Sequence, residues 1–273
     1  MSETTADPRK QTWEAGDYTT AADQSVLVSE LLCEAVELRA RESVLDVACG
    51  TGVTSLAAAR RKADVVGVDF SANSLKRARE RAGFDGLSNV EFQEANAEAL
   101  PFADATFDVV VSTFGVQFVG DQDAAARELI RVCKPGGRIG LANWTPGPFF
   151  GHFFKVMADH APKQMKKTPT PEKPGVLWGT EDRLHELFGD LVEFTSLTER
   201  TSRSREYSVD EWVNKTTGKL GPAVTILEQL EKPEQDAFIA ELRALVERSN
   251  TVSGPDVLLE SRYLEVVMVK RSR

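Results

Sequence analysis

The chain has 273 residues, of which 41% are hydrophobic and 27% charged, a composition typical of globular proteins. Its net charge of −9 argues against a nucleic-acid substrate, because a phosphate backbone is bound by a basic surface. The three cysteines are scattered, which predicts neither a disulfide framework nor a CxxC metal site. No apolar run approaches the roughly 20 residues that span a bilayer, and the first residues are polar. We therefore expect a cytoplasmic protein without a membrane span.

The chain begins with a polar stretch that contains two large aromatic residues, Trp13 and Tyr18. We expect residues 1–23 to form a loosely ordered N-terminal arm or lid. From Gln24 to Arg39 the apolar residues follow the spacing of one helical face, which predicts a helix.

From residue 43 onwards, short apolar runs alternate with helical stretches. Strands are predicted at 43–48, 64–69, 90–93, 107–112 and 138–143, with helices at 53–61, 71–81 and 121–132 between them. Ser71 is the predicted N-cap of its helix, and Lys134 to Gly137 (KPGG) the predicted turn into the fifth strand. This alternation predicts a parallel, doubly wound sheet in a core at 24–144.

Prolines and aromatic residues break this rhythm after Trp144. Residues 145–188 are predicted to be a cap insertion, with a proline-rich hinge from Pro162 to Pro174 and a helix at 180–188. Residues 189–273 are predicted to complete the sheet, with strands at 191–199 and 262–270 and a helical insertion at about 208–250. The predicted fold is α/β: a Rossmann-like, doubly wound, seven-stranded sheet, mostly parallel with an antiparallel last strand, plus a helical cap.

The motif VLDVACGTG at residues 44–52 predicts a strand that turns sharply into a helix over a ligand. Gly50 and Gly52 are expected where a side chain would collide, and Asp46 is placed to accept a hydrogen bond from a ligand's amino group, directly or through water. Ala48 lies between them. A nicotinamide dinucleotide site with GxGxxG is the generic alternative, but Ser55 occupies its third glycine position.

Asp69 ends the second predicted strand, at the position that faces a ribose in doubly wound sheets. One carboxylate can accept hydrogen bonds from both ribose hydroxyls. Phe70 is placed to cover the adenine face. The alternative is that Asp69 only supports the start of the helix at Ser71.

Four spaced motifs, DVACGTG, VVGVDFS, EANAEALPFADATFDVVVS and ELIRVCKPGGRIGLANW, cover roughly residues 43–144. In this order they resemble the S-adenosyl-L-methionine (SAM)-dependent methyltransferases of the ubiquinone/menaquinone-biosynthesis type. The downstream segments WTPGPFFGHFF, LWGTEDRLHELFGD and YLEVV are similar to a bacterial subgroup whose members mostly lack assigned acceptors. The resemblance implies methyl transfer from SAM, with S-adenosyl-L-homocysteine as product, and names no acceptor.

The resemblance also implies positions for the cofactor. Asn96 and Ala97 would meet the adenine base, although the family usually has Asp at the position of Asn96; an amide oxygen can still accept from the adenine amino group. The residues implied on the methionine side are Thr113, Phe114 and Gln117, and Tyr18 is implied over the cofactor. For the Phe114 ring, contact with the sulfonium and plain core packing are both open.

Two groups of related enzymes carry motifs that this chain lacks. Methylases of base and glutamine amino groups usually have Asn/Asp-Pro-Pro-aromatic after strand four, where this chain reads Ser112-Thr113-Phe114-Gly115. Metal-dependent catechol-type enzymes need an aspartate there, and no His/Asp/Glu cluster with metal-ligand spacing occurs elsewhere. No metal is therefore expected.

The expected acceptor pocket is largely apolar and lies under the cap. Its predicted lining residues are Trp144, Phe149, Phe150 and Phe153; the alternative is that these aromatics pack against a helix at 208–219. His152 stands among them and is the candidate general base.

The expected function is therefore SAM-dependent methylation of a small, partly apolar organic acceptor by in-line transfer to O, N or C. The alternatives are a protein or RNA methyltransferase and a non-catalytic SAM-binding regulator. A monomer or a homodimer is expected, with no nucleic-acid partner.

Overall fold

The computed structural model describes residues 8–162 and 172–272. Most of the predicted hinge, residues 163–171, and the first seven residues of the predicted arm lie outside the described residues. In the part of the chain that the structure describes, no helix is long and apolar enough to cross a membrane.

Seven strands and ten α-helices are present among the described residues. The strands are β1 (Ser43–Val47), β2 (Asp64–Asp69), β3 (Val90–Glu94), β4 (Phe107–Thr113), β5 (Cys133–Trp144), β6 (Val192–Glu206) and β7 (Val257–Lys270). The helices are α1 (Pro8–Glu14), α2 (Thr19–Ala35), α3 (Val53–Arg60), α4 (Ala72–Phe84), α5 (Gln122–Val132), α6 (Pro148–His160), α7 (Glu181–Phe188), α8 (Val209–Lys219), α9 (Gly221–Gln229) and α10 (Lys232–Ser249).

The strands form one sheet in the order β3-β2-β1-β4-β5-β7-β6. The pairs β1–β2, β1–β4, β2–β3 and β4–β5 are parallel, and β7 runs antiparallel to β5. The predicted fold class is thereby confirmed. Because β1 is the central crossover point of this order, the carboxyl ends of β1, β2 and β4 meet at the edge where doubly wound sheets bind ligands.

Both faces of the sheet are covered by helices, which explains why the central strands are apolar on both sides. Helices α2 and α3 pack on one face over an apolar cluster that includes Val44, Val65 and Val109. Helices α5 and α7 pack on the other face over a cluster that includes Leu45 and Val110. The alternation of these residues along β1 and β4 follows from the two-residue period of a strand.

The helix starts follow local sequence signals. The Ser71 hydroxyl caps α4 by accepting from the Ser74 N–H at 3.3 Å, as predicted. The Asp121 carboxylate caps α5 through the Ala124 N–H at 2.8 Å. Pro222 and Pro233 occupy the first turns of α9 and α10, where the missing N–H has no partner to lose.

Several predicted bounds differ from the structure: α2 begins at Thr19 and ends at Ala35, β6 continues to Glu206, and β7 begins at Val257. Two local predictions differ in kind. The segment Lys134 to Gly137 does not precede the fifth strand but bulges out within it: Phe107 pairs with Cys133, and pairing resumes only between Val109 and Arg138. The expected loose arm contains helix α1, whose Trp13 ring packs at 5.5 Å from that of Tyr18. Aromatic contact orders a segment that its polar composition marks as a loop.

The chain divides into two compact units. The helical unit contains α1, α6, α8, α9 and α10 with the outer ends of β6 and β7, and it has its own apolar core around Phe153, Trp212 and Phe238. The sheet unit contains the remaining elements. Residues 172–202 belong to the sheet unit, where Trp178 and Phe188 are buried in the core on the α5 side. The sequence stretch 145–188 is therefore divided between the units.

Candidate active site

The turn after β1 depends on three residues with positive φ: Ala48 (55°), Gly50 (53°) and Gly52 (81°). A Cβ on Gly52 would lie 3.0 Å from both the Ala78 Cβ and the Phe92 ring, so this glycine lets α3 start close to α4 and β3. A Cβ on Gly50 would have no described atom within 4 Å. The expected collision with protein thus occurs at Gly52 alone, and Gly50 faces open space.

The Asp69 carboxylate organises the edge of this open space. One of its oxygens accepts the Gly50 N–H at 2.9 Å, and the other accepts the Ser71 N–H at 2.9 Å. The side chain is buried, and burial raises the pKa of Asp69 although these N–H donors lower it. A carboxylate has about four acceptor positions, so Asp69 keeps spare acceptor capacity beyond its backbone N–H donors.

Asp46 lies within β1, beneath the glycine turn, and is 1% exposed. Its carboxylate accepts the Ser55 hydroxyl proton at 2.6 Å. Burial raises the pKa of Asp46 to about 7, and the charge on Asp69 adds to the rise. The position that breaks the dinucleotide pattern, Ser55, therefore anchors this carboxyl group, which would meet a ligand through its remaining acceptor capacity or through water.

A pH dependence of stability follows from the raised pKa of Asp46, whose ordinary value is 3.8 and whose folded value is about 7. Between these values the folded protein keeps a proton that the unfolded chain has lost, so the contribution of Asp46 to the free energy of unfolding falls as pH rises. We expect the wild type to lose stability relative to Asp46→Asn across this window. Urea unfolding at several pH values measures the difference. Asp64→Asn, at the exposed start of β2, is the control; parallel pH curves for wild type and Asp46→Asn would contradict the raised pKa.

The loop after β3 lies beside Asp69. The Ala95 N–H donates to the Asp69 carbonyl at 3.0 Å. Asn96 is exposed, and its side-chain oxygen accepts the Glu98 N–H at 2.9 Å, which leaves this oxygen one further acceptor position. Ala97 and Phe70 are half-buried. The residues expected near an adenine thus follow β2 and β3 at the same edge of the sheet.

The segment after β4 carries the residues expected on the methionine side. The Thr113 hydroxyl accepts from the Thr54 hydroxyl at 2.8 Å, which ties the end of β4 to α3. Phe114 has a positive φ of 58°, and its ring stacks on Trp144 at a centroid distance of 3.6 Å and an interplanar angle of 3°. One face of the Phe114 ring is therefore covered by Trp144, and the Tyr263 ring lies 5.6 Å away at 86°, so a cation would contact the face opposite Trp144.

Gln117 is fully buried, and neither its amide oxygen nor its amide nitrogen has a hydrogen-bond partner among the described residues. Most buried amides in folded proteins are paired. An unpaired amide at the end of β4 therefore indicates a position where a ligand completes the hydrogen bonding.

Comparisons with known proteins identify the family and the fold. A family profile described as a methyltransferase domain matches residues 44–137. An uncharacterized protein of Mycobacterium tuberculosis is 40% identical over 191 residues, which is 70% of this chain and 68% of that protein. The structure of the YcgJ protein from Bacillus subtilis covers 90% of this chain and 100% of that chain, with a TM-score of 0.61 and 20% identity. The chain belongs to the class I SAM-dependent methyltransferases.

The resemblance seen in the sequence motifs is confirmed by a further relative of this methyltransferase. The demethylmenaquinone methyltransferase of Renibacterium salmoninarum is 38% identical over 130 residues, which is 48% of this chain and 52% of that enzyme. The family profile matches residues 44–137 and so includes no residue of the helical unit.

The helical unit of the methyltransferase contains several other predicted residues. Phe149 and Phe153 are buried, with their rings 5.8 and 6.0 Å from that of Trp212 on α8. Phe150 is only partly buried. The packing against α8 that was weighed as an alternative is thus present for Phe149 and Phe153, and their place in an acceptor pocket stays a prediction.

Two polar residues of this unit complete the predicted set. His152 is exposed on α6, and its Nδ1 lies at hydrogen-bond distance from the Pro148 carbonyl oxygen, which can only accept. Nδ1 therefore carries the proton, and Nε2 is the nitrogen with a free lone pair that can accept a proton. The Tyr18 hydroxyl accepts the Gly221 N–H at 3.1 Å. A catalytic role for His152 and a cofactor contact of Tyr18 remain predictions.

Two residues of the methyltransferase that sequence reasoning missed are Asn143 and Trp178. Both are fully buried, and their side-chain polar atoms have no hydrogen-bond partner among the described residues. For Asn143 a signal existed: it is a polar residue at the end of the apolar run RIGLAN, as Ser112 is at the end of FDVVVS. For Trp178 no sequence signal distinguishes an unpaired indole from an ordinary core tryptophan.

Proposed function

We propose that this methyltransferase binds SAM at the carboxyl ends of β1, β2 and β4 and methylates a small, partly apolar organic acceptor. The observation that supports it most is the Asp69 carboxylate, which holds both the Gly50 and Ser71 N–H groups at 2.9 Å beside the open space at Gly50. A buried acidic group with spare acceptor capacity at the end of the second strand suits two ribose hydroxyls.

The remaining cofactor assignments follow from the positions around Asp69. Phe70 covers one face of the adenine, and Asn96 and Ala97 meet its edge. Gly50 and Gly52 form the turn over which the methionine portion lies, and Ala48 continues that turn to β1. Asp46 accepts a hydrogen bond from the amino group of the methionine portion, directly or through water, while the Ser55 hydroxyl holds the Asp46 carboxylate in place.

The methionine side is completed by residues that follow β4. Thr113 is fixed by its hydrogen bond with Thr54, Gln117 supplies an unpaired amide, and the face of Phe114 opposite Trp144 contacts the sulfonium. Since Trp144 holds the Phe114 ring on its other face, this aromatic surface is preorganised and costs little to order on binding.

SAM supplies an activated methyl group that an acceptor atom attacks in line, leaving S-adenosyl-L-homocysteine. The contribution of the protein is to hold the acceptor at near-attack distance and to exclude water. A general base is required only for an acceptor that must lose a proton, and His152 is the proposed base in that case.

The test of this proposal has two parts. Calorimetric titration with SAM should show binding, and incubation with labelled SAM and fractionated small-metabolite extracts should label a compound of low mass. Label in protein or RNA would favour those acceptors instead. Equal affinity for SAM and S-adenosyl-L-homocysteine with no labelled product would favour a non-catalytic SAM-binding regulator.

We also expect methyl transfer to continue in excess chelator. Within residues 8–162 and 172–272, no group of three or more His, Cys, Asp or Glu side chains is placed to hold a metal ion, and positioning alone can drive the transfer. The measurement is the rate of S-adenosyl-L-homocysteine formation with and without EDTA. Loss of the rate in EDTA, with recovery in magnesium, would contradict a metal-independent reaction.

A further inference from the structure

Three buried side chains at the carboxyl edge of the sheet have polar atoms without partners. Gln117 and Asn143 are 0% exposed, and both polar atoms of each amide lack a hydrogen-bond partner among the described residues. The indole nitrogen of Trp178, also 0% exposed, is unpaired in the same sense. Orphaned buried groups of this kind cost stability, so they are uncommon in folded proteins.

These three residues belong to segments that contact one another. The turn at Gly175–Gly179 contains Trp178 and touches both neighbours. A Cβ on Gly175 would lie 2.3 Å from the Gln117 carbonyl oxygen, and a Cβ on Gly179 would lie 2.4 Å from the carbonyl oxygen of Trp144, the residue after Asn143. The turn thus covers the gap between the segment after β4 and the end of β5.

The orientation of Asn143 places its amide on the side of the sheet where Trp178 lies. Leu141, two residues earlier on β5, belongs to the apolar cluster that contains Trp178, whereas Ala142 belongs to the cluster on the opposite face. Because strand side chains alternate between faces, Asn143 shares the face of Leu141. The unpaired amide of Asn143 therefore lies on the face of the sheet where Trp178 is buried, and not on the α2 side.

A neighbouring buried amide has hydrogen-bond partners for both of its polar atoms. Gln122 is also buried, and its Nε2 donates to the Lys173 carbonyl at 2.8 Å while its Oε1 accepts from an Arg183 nitrogen at 3.0 Å. Burial of an amide here is thus compatible with full pairing. Packing alone does not account for the unpaired atoms of Gln117 and Asn143.

We propose that Asn143, Trp178 and the Gln117 amide atom that the cofactor leaves unpaired form the polar wall of the acceptor site and bind an uncharged acceptor group that both donates and accepts hydrogen bonds, such as a hydroxyl or a carboxamide. The three side chains offer amide and indole N–H donors together with amide oxygens, and none carries a charge. A buried carboxylate or ammonium would find no opposite charge among them, which makes its desolvation costly. This proposal rests on the proposed methyltransferase function, because it places the acceptor beside the cofactor end of β4.

The first measurement is thermal unfolding of Asn143→Leu, which replaces the unpaired amide by an apolar side chain with the same branching and the same number of heavy atoms. We expect the Tm to rise by about 2–4 °C, because an orphaned group is replaced by an apolar one. Gln122→Leu is the matched control and should lower the Tm, since it breaks two hydrogen bonds. A lower Tm for Asn143→Leu would mean that its amide is paired in solution, and would overturn the proposal.

The second measurement is binding of four probes that share a phenyl ring and differ in the polar group: benzamide, benzyl alcohol, benzoate and benzylamine. With S-adenosyl-L-homocysteine present, ligand-observed NMR should detect binding of benzamide and benzyl alcohol to the wild type. The affinity for both probes should fall at least tenfold in Asn143→Leu and by a smaller factor in Trp178→Phe. Preference for a charged probe, or equal binding to wild type and Asn143→Leu, would overturn the subsite, as would absence of binding by all four.

SAM affinity separates the two proposals. Asn143→Leu should bind SAM as the wild type does, because Asn143 is not among the cofactor residues. Failure of the wild type to bind SAM would refute the proposed function itself. Normal SAM binding without the expected probe pattern would refute only the polar acceptor wall.

Discussion

Asp69→Ala is expected to weaken SAM binding by at least about 100-fold. The proposed ribose contacts are two charge-assisted hydrogen bonds, each worth about 1.5–3 kcal/mol, and about 1.4 kcal/mol corresponds to a tenfold change. The substitution also leaves the N–H groups of Gly50 and Ser71 without their 2.9 Å acceptor, so the turn itself loses its anchor. Calorimetric titration measures the affinity directly.

Two variants show whether the effect belongs to the carboxylate. Asp69→Asn keeps one acceptor oxygen and should be milder than Asp69→Ala. Asp64→Ala removes a carboxylate from the exposed start of the same strand, so its SAM affinity should match that of the wild type. Unchanged affinity in Asp69→Ala would remove the basis for placing the ribose at β2.

The sheet was predictable because each buried strand is a short apolar run between turn and helix signals. Strands β1, β2 and β4 end within one residue of their predicted positions, since burial on both faces allows almost no polar residue inside them. The predicted start of β5 was wrong because Gly136, at a φ of 74°, lets the chain bulge and resume pairing. Glycine marks a turn in sequence whether or not the strand continues beyond it.

The division of the chain into two units could not be predicted from the spacing of its apolar residues. The pattern of residues 145–188 shows prolines, aromatics and one helix, which is compatible with a single insertion. The structure instead buries Trp178 and Leu184 in the core of the sheet unit, and Phe149 and Phe153 in that of the helical unit. Which core an apolar residue joins depends on tertiary packing, and spacing along the chain does not encode it.

The candidate site shows the same limit. Residue type and position at a strand end were enough to select Asp46, Asp69 and the glycine turn. The same information did not predict the hydrogen-bond partners of these residues. The Ser55 hydroxyl, in the first turn of α3, donates to the Asp46 carboxylate at 2.6 Å, and the Asn143 amide at the end of β5 is unpaired. Whether a buried polar group is satisfied depends on the geometry of several segments, which a strand pattern does not contain.

Gly50→Val is expected to lower SAM affinity by more than 100-fold while the fold is retained. No described atom lies within 4 Å of a Cβ at Gly50, so the new side chain would occupy the open space in which we place the methionine portion, with little protein contact. Its φ of 53° is unfavourable for a β-branched residue and adds a cost in stability.

Gly86→Val is the matched control for that cost, because Gly86 also has a positive φ, of 66°, and no atom within 4 Å of its Cβ, but lies in the turn between α4 and β3. Both variants should lose similar stability in thermal unfolding, and only Gly50→Val should lose SAM binding in calorimetry. If Gly50→Val binds SAM like the wild type, the glycine turn does not contact the cofactor. If it unfolds far below Gly86→Val, the loss of binding reflects a damaged turn. The pair therefore separates the strain of a left-handed backbone from the blocking of a ligand site.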